Sequence, residues 1–313
     1  MVSSSPTFGL YSEDPVKMLE SKGYNLELLH SEVSSNEEKF SEALRDADAL
    51  IVGVEKISPA VLKHAEKLKV IAKHGAGVDN IDLKEAARRN IVVANAPGAN
   101  RHAVADLVFG LFFSIARQIP AAFESIKSKE WPRLVGNEVY NKTLGVIGTG
   151  RIGKEVIKRA QGFNMNVLCF DLYPDDQIEK QGFGRYVAFQ ELLEEADFIT
   201  VHTDLNDETK ALIGQDELTM MKKNAFLVNA ARGGIIDEQA LYQALASKEI
   251  KGAAMDVFEK EPLLDSPLLQ LSNFIATPHM AGYTEEALRE VGVLTAQNVI
   301  DVLEQRKPAF SVL

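Results

Sequence analysis

Three residues of this chain are of the types that can move a proton beside a carboxylic acid. His279, Glu261 and Arg232 each lie just beyond a short apolar run, at 274–276, 253–255 and 226–228. An imidazole gives or takes a proton near neutral pH. A carboxylate on its other ring nitrogen fixes the tautomer and favours the protonated ring. An arginine grips a carboxylate with two parallel N–H donors, a geometry lysine cannot match. Reducing a 2-oxo acid needs a proton donor, a cation for the acid group and a hydride. We assign His279 as acid/base, Glu261 as its orienting partner and Arg232 as anchor and carbonyl polariser.

The hydride source is written earlier in the chain. Gly148, Thr149, Gly150, Arg151, Ile152 and Gly153 follow the apolar run 144–147 and open a helical pattern over 151–161. Asp171 closes the next apolar run, 167–170. This is the sequence form of a βαβ unit that binds a dinucleotide, with the pyrophosphate at the helix N-terminus. A carboxylate at Asp171 accepts hydrogen bonds from the adenosine ribose and repels a 2′-phosphate. No arginine follows it, only Leu172 and Tyr173, so NAD is the expected cofactor.

Elements must bring these groups together. Short apolar runs at 26–29, 49–54, 70–72 and 91–93 read as strands, with helices between them at 15–22, 38–45, 59–66 and 83–89. The pairs Asp14-Pro15 and Ser58-Pro59 place a capping residue before proline, a helix-start signal. A long helix that is apolar on most faces is predicted over 101–118, after the break at Asn95-Ala96-Pro97-Gly98. A second series of strands is predicted at 144–147, 167–170, 198–201, 226–228, 253–255 and 274–276, and a final helix at 285–303. Alternating strands and helices imply parallel sheets. The expected fold is α/β: two doubly wound, Rossmann-like parallel-sheet domains with a cleft between them. Residues 1–98 and 286–313 would form a flavodoxin-like substrate domain, and 99–285 the NAD-binding domain. In such sheets ligands bind at the carboxyl ends of the strands, where the candidate residues lie.

Composition narrows the class. The chain has 313 residues, 46% of them hydrophobic, and a net charge of −11. That balance disfavours nonspecific nucleic acid or anionic membrane binding, both of which need a basic face. The single cysteine, Cys169, sits in an apolar strand and reads as buried filler. No spacing of histidines and acids suggests a metal site. Residues 1–10 do not read as a signal peptide, and the cytoplasm is the expected location.

Several motifs in order resemble the D-isomer-specific 2-hydroxyacid dehydrogenase family. They are Gly75-Ala76-Gly77-Val78-Asp79-Asn80-Ile81-Asp82, the glycine turn, Asn229-Ala230-Ala231-Arg232-Gly233, Asp256-Val257-Phe258-Glu259-Lys260-Glu261-Pro262, and Thr277-Pro278-His279. The resemblance implies that the family's catalytic arginine, glutamate and histidine are Arg232, Glu261 and His279. It also implies that backbone N–H groups of Gly75, Ala76, Gly77 and Val78 bind the substrate carboxylate, and that Asp256 lies near the nicotinamide carboxamide. Further cofactor contacts are expected from His202, Thr203, Thr209, Ala230, Ala231, Gly282 and Val104. Glu55, Lys56, Lys73 and His74 are expected on the substrate side. The stretch 115–120 and the region around Trp131 are closest to phosphoglycerate dehydrogenases, but Lys73 and the loop Gly53-Val54-Glu55-Lys56 depart from their pattern. The resemblance implies a 3-phosphoglycerate, glycerate, hydroxypyruvate or glyoxylate enzyme without a C-terminal regulatory domain. A sugar-acid reductase acting on a 2-ketogluconate-like substrate, and a dinucleotide-sensing corepressor, are the alternatives. A homodimer through the NAD-binding domain is expected. Asp171 supplies the sharpest test of the cofactor reading. NADH should show a lower KM than NADPH, and Asp171→Ala should raise the KM for NADH; a preference for NADPH in the unmodified protein sinks it.

Overall fold

Every ladder between strands in this chain is parallel, and the strands fall into two separate sheets. The computed structural model describes residues 1–313. The first sheet holds β1 (Val2–Ser3), β2 (Glu27–Leu28), β3 (Ala49–Val52), β4 (Val70–Lys73) and β5 (Val92–Ala94), in the order β2-β1-β3-β4-β5. The second holds β6 (Thr143–Ile147), β7 (Asn166–Phe170), β8 (Arg185–Tyr186), β9 (Phe198–Val201), β10 (Phe226–Asn229), β11 (Gly252–Met255) and β12 (Phe274–Ala276). Its order is β12-β11-β10-β9-β6-β7-β8. Both are doubly wound, reversing direction at β1/β3 in one and at β6/β9 in the other. The expected α/β class is what the structure has.

The chain divides into Met1–Asn100 with Gly282–Leu313, and Arg101–Ala281. The crossings therefore fall at 100/101 and 281/282, where 98/99 and 285/286 were expected. Local bonding explains both positions. A helix begins at Arg101, while the backbone N–H of Ala281 is held by Asp256 of the second unit. Gly282 lies against Asn100, and a Cβ on it would sit 3.0 Å from the Asn100 amide nitrogen.

In the second unit, strands covered on both faces read as unbroken apolar runs. Alternate residues feed two cores. Ile199, Val201 and Leu227 enter one, and Phe198, Phe226 and Val228 the other. The helix Arg101–Ala116 covers the latter, with Phe112 edge-on to Phe198 at 5.2 Å and Phe226 stacked on Phe198 at 5.1 Å. In the first unit the helix Glu285–Leu303 closes the core over β3 and β4, placing Ala296, Val299 and Ile300 against Ile51, Val70 and Ala72. Asn298 also donates to the carbonyl of Asn95.

Four expectations need correction. The helix over 101–118 stops at Ala116, and a second helix, Ile119–Lys127, follows at a bend of 60°. Gln118 adopts φ +55° at that bend, and Pro120 opens the second helix. The helix expected over 59–66 is only a 3-10 turn, Val61–His64. Strands β1 and β8 were not expected, because two residues carry no alternation to read. No single helix is long and apolar enough to cross a membrane.

Candidate active site

The glycine turn sits where the second sheet reverses, directly after β6. Gly148 has φ +91°, and a Cβ there would lie 2.6 Å from the carbonyl oxygen of His202. A Cβ on Gly153 would lie 2.1 Å from the Gly148 carbonyl oxygen. Both positions therefore admit only glycine. Gly150 faces open space and leads the helix Arg151–Gln161 with no side-chain cap. The first backbone N–H groups of that helix, on Arg151, Ile152 and Gly153, are left for an anion. Two buried polar atoms beside the turn, Nδ1 of His202 and the Thr203 hydroxyl, have no partner in the chain. This cradle fits a dinucleotide pyrophosphate.

Asp171 closes β7 as the cofactor reading requires. Its Oδ2 accepts from the Thr149 N–H at 2.6 Å and the Thr149 hydroxyl at 3.0 Å, and its Oδ1 accepts from the Tyr173 N–H at 2.8 Å. The Tyr186 hydroxyl in turn meets Thr149 Oγ1 at 2.8 Å. The sequence reading missed this Thr149–Tyr186 brace because Tyr186 lies on the two-residue strand β8. His202 pairs through Nε2 with Thr200 at 3.0 Å, and burial pushes its imidazole down to about 3, so the ring is neutral. The Thr209 hydroxyl donates to the Asp204 carbonyl and closes its own loop. The Val104 side chain belongs to the apolar core of the second unit. Burial pushes the Cys169 thiol up to about 12, which leaves it inert at neutral pH.

The candidate proton-transfer residues follow the ends of β10, β11 and β12. Asn229 is fully buried, accepts from the Ala231 N–H and donates to the Arg232 carbonyl, shaping the turn through Ala230 and Ala231 that presents Arg232. The Arg232 guanidinium donates to the Ala231 carbonyl at 2.7 Å. His279 Nδ1 and Glu261 Oε2 are 2.7 Å apart, and both side chains are partly exposed. Glu261 Oε1 accepts from the Phe258 N–H at 3.0 Å. His279 holds φ +51°, a left-handed conformation uncommon for a non-glycine residue. Asp256 explains how it is kept. Its carboxylate is fully buried and accepts from the Thr277 hydroxyl at 2.6 Å, the Met280 N–H at 2.9 Å and the Ala281 N–H at 2.8 Å. Those bonds bracket His279 on both sides. The expectation of Asp256 as a nicotinamide contact is thus joined by a positioning role that the sequence did not reveal.

The first unit carries the candidate substrate loop after β4. The N–H groups of Gly75, Ala76, Gly77 and Val78 donate to no other group of the chain. Four successive donors without an acceptor in the chain are suited to an anion. Lys73 is only 9% exposed, and its ammonium donates to the Gly53 carbonyl and to Asn80 at 2.9 Å. Asn80 also donates to the Glu55 carbonyl, so these two residues lock the 53–56 and 75–80 loops together. Glu55 turns back onto the Ser4 hydroxyl at 2.9 Å and the Gly53 N–H at 3.1 Å, rather than pairing with a lysine. Lys56 is exposed. The His74 ring does not serve the loop as expected. It packs edge-on to Phe8 at 5.5 Å, with both nitrogens buried and unpartnered, and burial together with Lys73 pushes it down to about 4.

Known proteins share the sequence and fold of this chain. Residues 109–281 match the NAD binding domain of the D-isomer specific 2-hydroxyacid dehydrogenases. A D-3-phosphoglycerate dehydrogenase of Methanocaldococcus jannaschii is 46% identical over 93% of this chain and 56% of its own length. A glyoxylate reductase of Thermococcus litoralis is 39% identical over 92% of this chain and 90% of its own. The D-lactate dehydrogenase of Aquifex aeolicus complexed with NAD and lactic acid superposes with a TM-score of 0.83 at 26% identity, covering 99% of this chain and 98% of its own. The chain spans about half the length of the curated phosphoglycerate dehydrogenases it matches. It belongs to the D-isomer specific 2-hydroxyacid dehydrogenase family, with residues 109–281 as that family's NAD binding domain. The role of Asp256 is open to direct measurement. Asp256→Asn puts an amide donor against backbone donors and should cost about 2 kcal/mol or more of unfolding free energy, with faster hydrogen exchange at Met280 and Ala281. Unchanged exchange at those two amides would count against the bracing role.

Proposed function

We propose that the chain interconverts a small D-2-hydroxy acid and its 2-oxo acid. NAD, when bound, takes or supplies the hydride. The 2.7 Å contact between His279 Nδ1 and Glu261 Oε2 carries this reading. It leaves Nε2 of the imidazole to face the substrate oxygen. In the reductive direction His279 gives its proton to the carbonyl oxygen, and in the oxidative direction it takes the hydroxyl proton. Glu261 holds the tautomer and supports the imidazolium. Arg232 holds the acid group and turns C2 toward the hydride path. The N–H groups of Gly75, Ala76, Gly77 and Val78 offer the first unit's own donors for an anion.

Substrate size follows from the loops of the first unit. With Lys73 committed to Gly53 and Asn80, and Glu55 held at the loop, the site favours an acid with a short, uncharged tail, such as glyoxylate or hydroxypyruvate. Lys56 supports a second reading, a phosphorylated three-carbon acid held by that one exposed ammonium. The exposed apolar residues Ile119, Phe123 and Ile126, with Trp131 at 87% exposure, support a homodimer through the NAD-binding unit.

Two measurements decide the matter. In a panel of 2-oxo acids with NADH, glyoxylate or hydroxypyruvate should give the highest kcat/KM, and His279→Ala should lose turnover by about 10³-fold or more while still binding NADH. Full activity in that variant refutes the acid/base assignment, and a preference for the phosphorylated acid selects the second reading. Light scattering should return twice the chain mass; a stable monomer would dismiss the dimer.

A further inference from the structure

We propose that Glu238 is a positioning residue for the His279–Glu261 pair, acting by holding the backbone turn from which Glu261 projects. This rests on the hydride-transfer reading above. Glu238 is the first residue of the helix Glu238–Ala246, whose cap, Asp237, accepts from the N–H groups of Gln239 and Ala240 at 2.9 Å each. That cap fixes where the Glu238 side chain starts. Its Oε1 then accepts from the Glu259 N–H at 2.7 Å, across 21 residues of chain.

The peptide between Phe258 and Glu259 is the meeting point. Its N–H is taken by Glu238. Its opposite neighbour is Gly233, where a Cβ would lie 2.0 Å from the Phe258 carbonyl carbon and 2.5 Å from the Glu259 nitrogen. Gly233 directly follows Arg232. Two residues beyond Glu259 stands Glu261, whose Oε1 accepts from the Phe258 N–H and whose Oε2 meets His279. One clamped peptide thus spaces the arginine anchor from the acid/base pair. Gly233 supplies the close approach on one side and Glu238 the restraint on the other.

The Glu238 carboxylate occupies an unfavourable place. Partial burial pushes its proton affinity up, as do the carboxylates of Glu259, Asp237 and Glu261, and the Glu259 N–H opposes them. What the role requires is an acceptor oxygen at the reach of glutamate, placed to meet the Glu259 N–H. Aspartate, one methylene shorter, falls short of the Glu259 nitrogen.

Steady-state kinetics on the full chain, with NADH and the best 2-oxo acid of the panel, test this through three variants. Glu238→Gln keeps the acceptor and should hold kcat within about twofold. Glu238→Ala and Glu238→Asp should lower kcat about tenfold or more, with KM for NADH unchanged, because the glycine turn is untouched. Should the alanine variant fail to fold, the aspartate variant, which keeps the charge at the helix start, decides alone. A wild-type kcat in Ala and Asp, an equal loss in Gln and Ala, or a loss confined to KM for NADH would overturn the proposal. His279→Ala separates the two readings. If it remains active, the acid/base reading has failed; if it is inactive while Glu238→Ala and Glu238→Asp behave as wild type, only the role of Glu238 has.

Discussion

One buried carboxylate, Asp256, fixes the backbone on which the candidate site depends. It sits at the end of β11 and receives a hydroxyl and two backbone N–H groups from the segment that follows β12. Hydrogen bonds to a charged acceptor are worth about 1.5–3 kcal/mol each. The left-handed backbone of His279 costs about 1–3 kcal/mol. The three bonds exceed that cost, so the imidazole is presented in a conformation the chain would otherwise leave. A neutral acceptor, or an aspartate open to water, would not bracket the residue as tightly. The depth of Asp256 is therefore part of how the site works.

The same device recurs at smaller scale. Asn229 bends the backbone that carries Arg232, and Asn80 ties two loops of the first unit together. In each case a polar side chain, at a strand end or in a loop, spends most of its hydrogen bonds on backbone. In the second unit the candidate groups His279 and Glu261 stay partly exposed; in the first, the N–H groups of the 75–78 loop have no acceptor in the chain. The sheets supply rigid strand ends, and buried polar residues set the angles of departure.

Much of this was legible in the sequence. Parallel α/β architecture followed from apolar runs alternating with helical patterns, and the dinucleotide turn from Gly148, Gly150 and Gly153 beside Asp171. What escaped notice had no periodic signal. Strands β1 and β8 are two residues long, and the bend at Gln118 depends on a single positive φ. Site residues divide the same way. His279 and Glu261 drew notice because their types suit proton chemistry, and the structure brings them into contact. Lys73 and Glu55 also announce chemistry, yet the structure turns their charges inward onto Gly53, Asn80 and Ser4. A charged side chain beside a site is read from sequence as a contact, and only three-dimensional bonding reveals it as a brace.

The path of the chain has a consequence for its biosynthesis. The second unit is one continuous segment, Arg101–Ala281, while the first is completed only by Gly282–Leu313. On the ribosome, the apolar face of β3 and β4 emerges early and waits for the helix Glu285–Leu303 to cover it. The intervening unit has all its own strands by then and can fold first. Its folding also shortens the effective loop between the two halves of the first unit, since Arg101 and Ala281 are then held at fixed points and not separated by an open coil. The nascent chain is most exposed to aggregation in that interval, along Ile51, Val70 and Ala72, and a chaperone that shields this strip would act before the final helix is made.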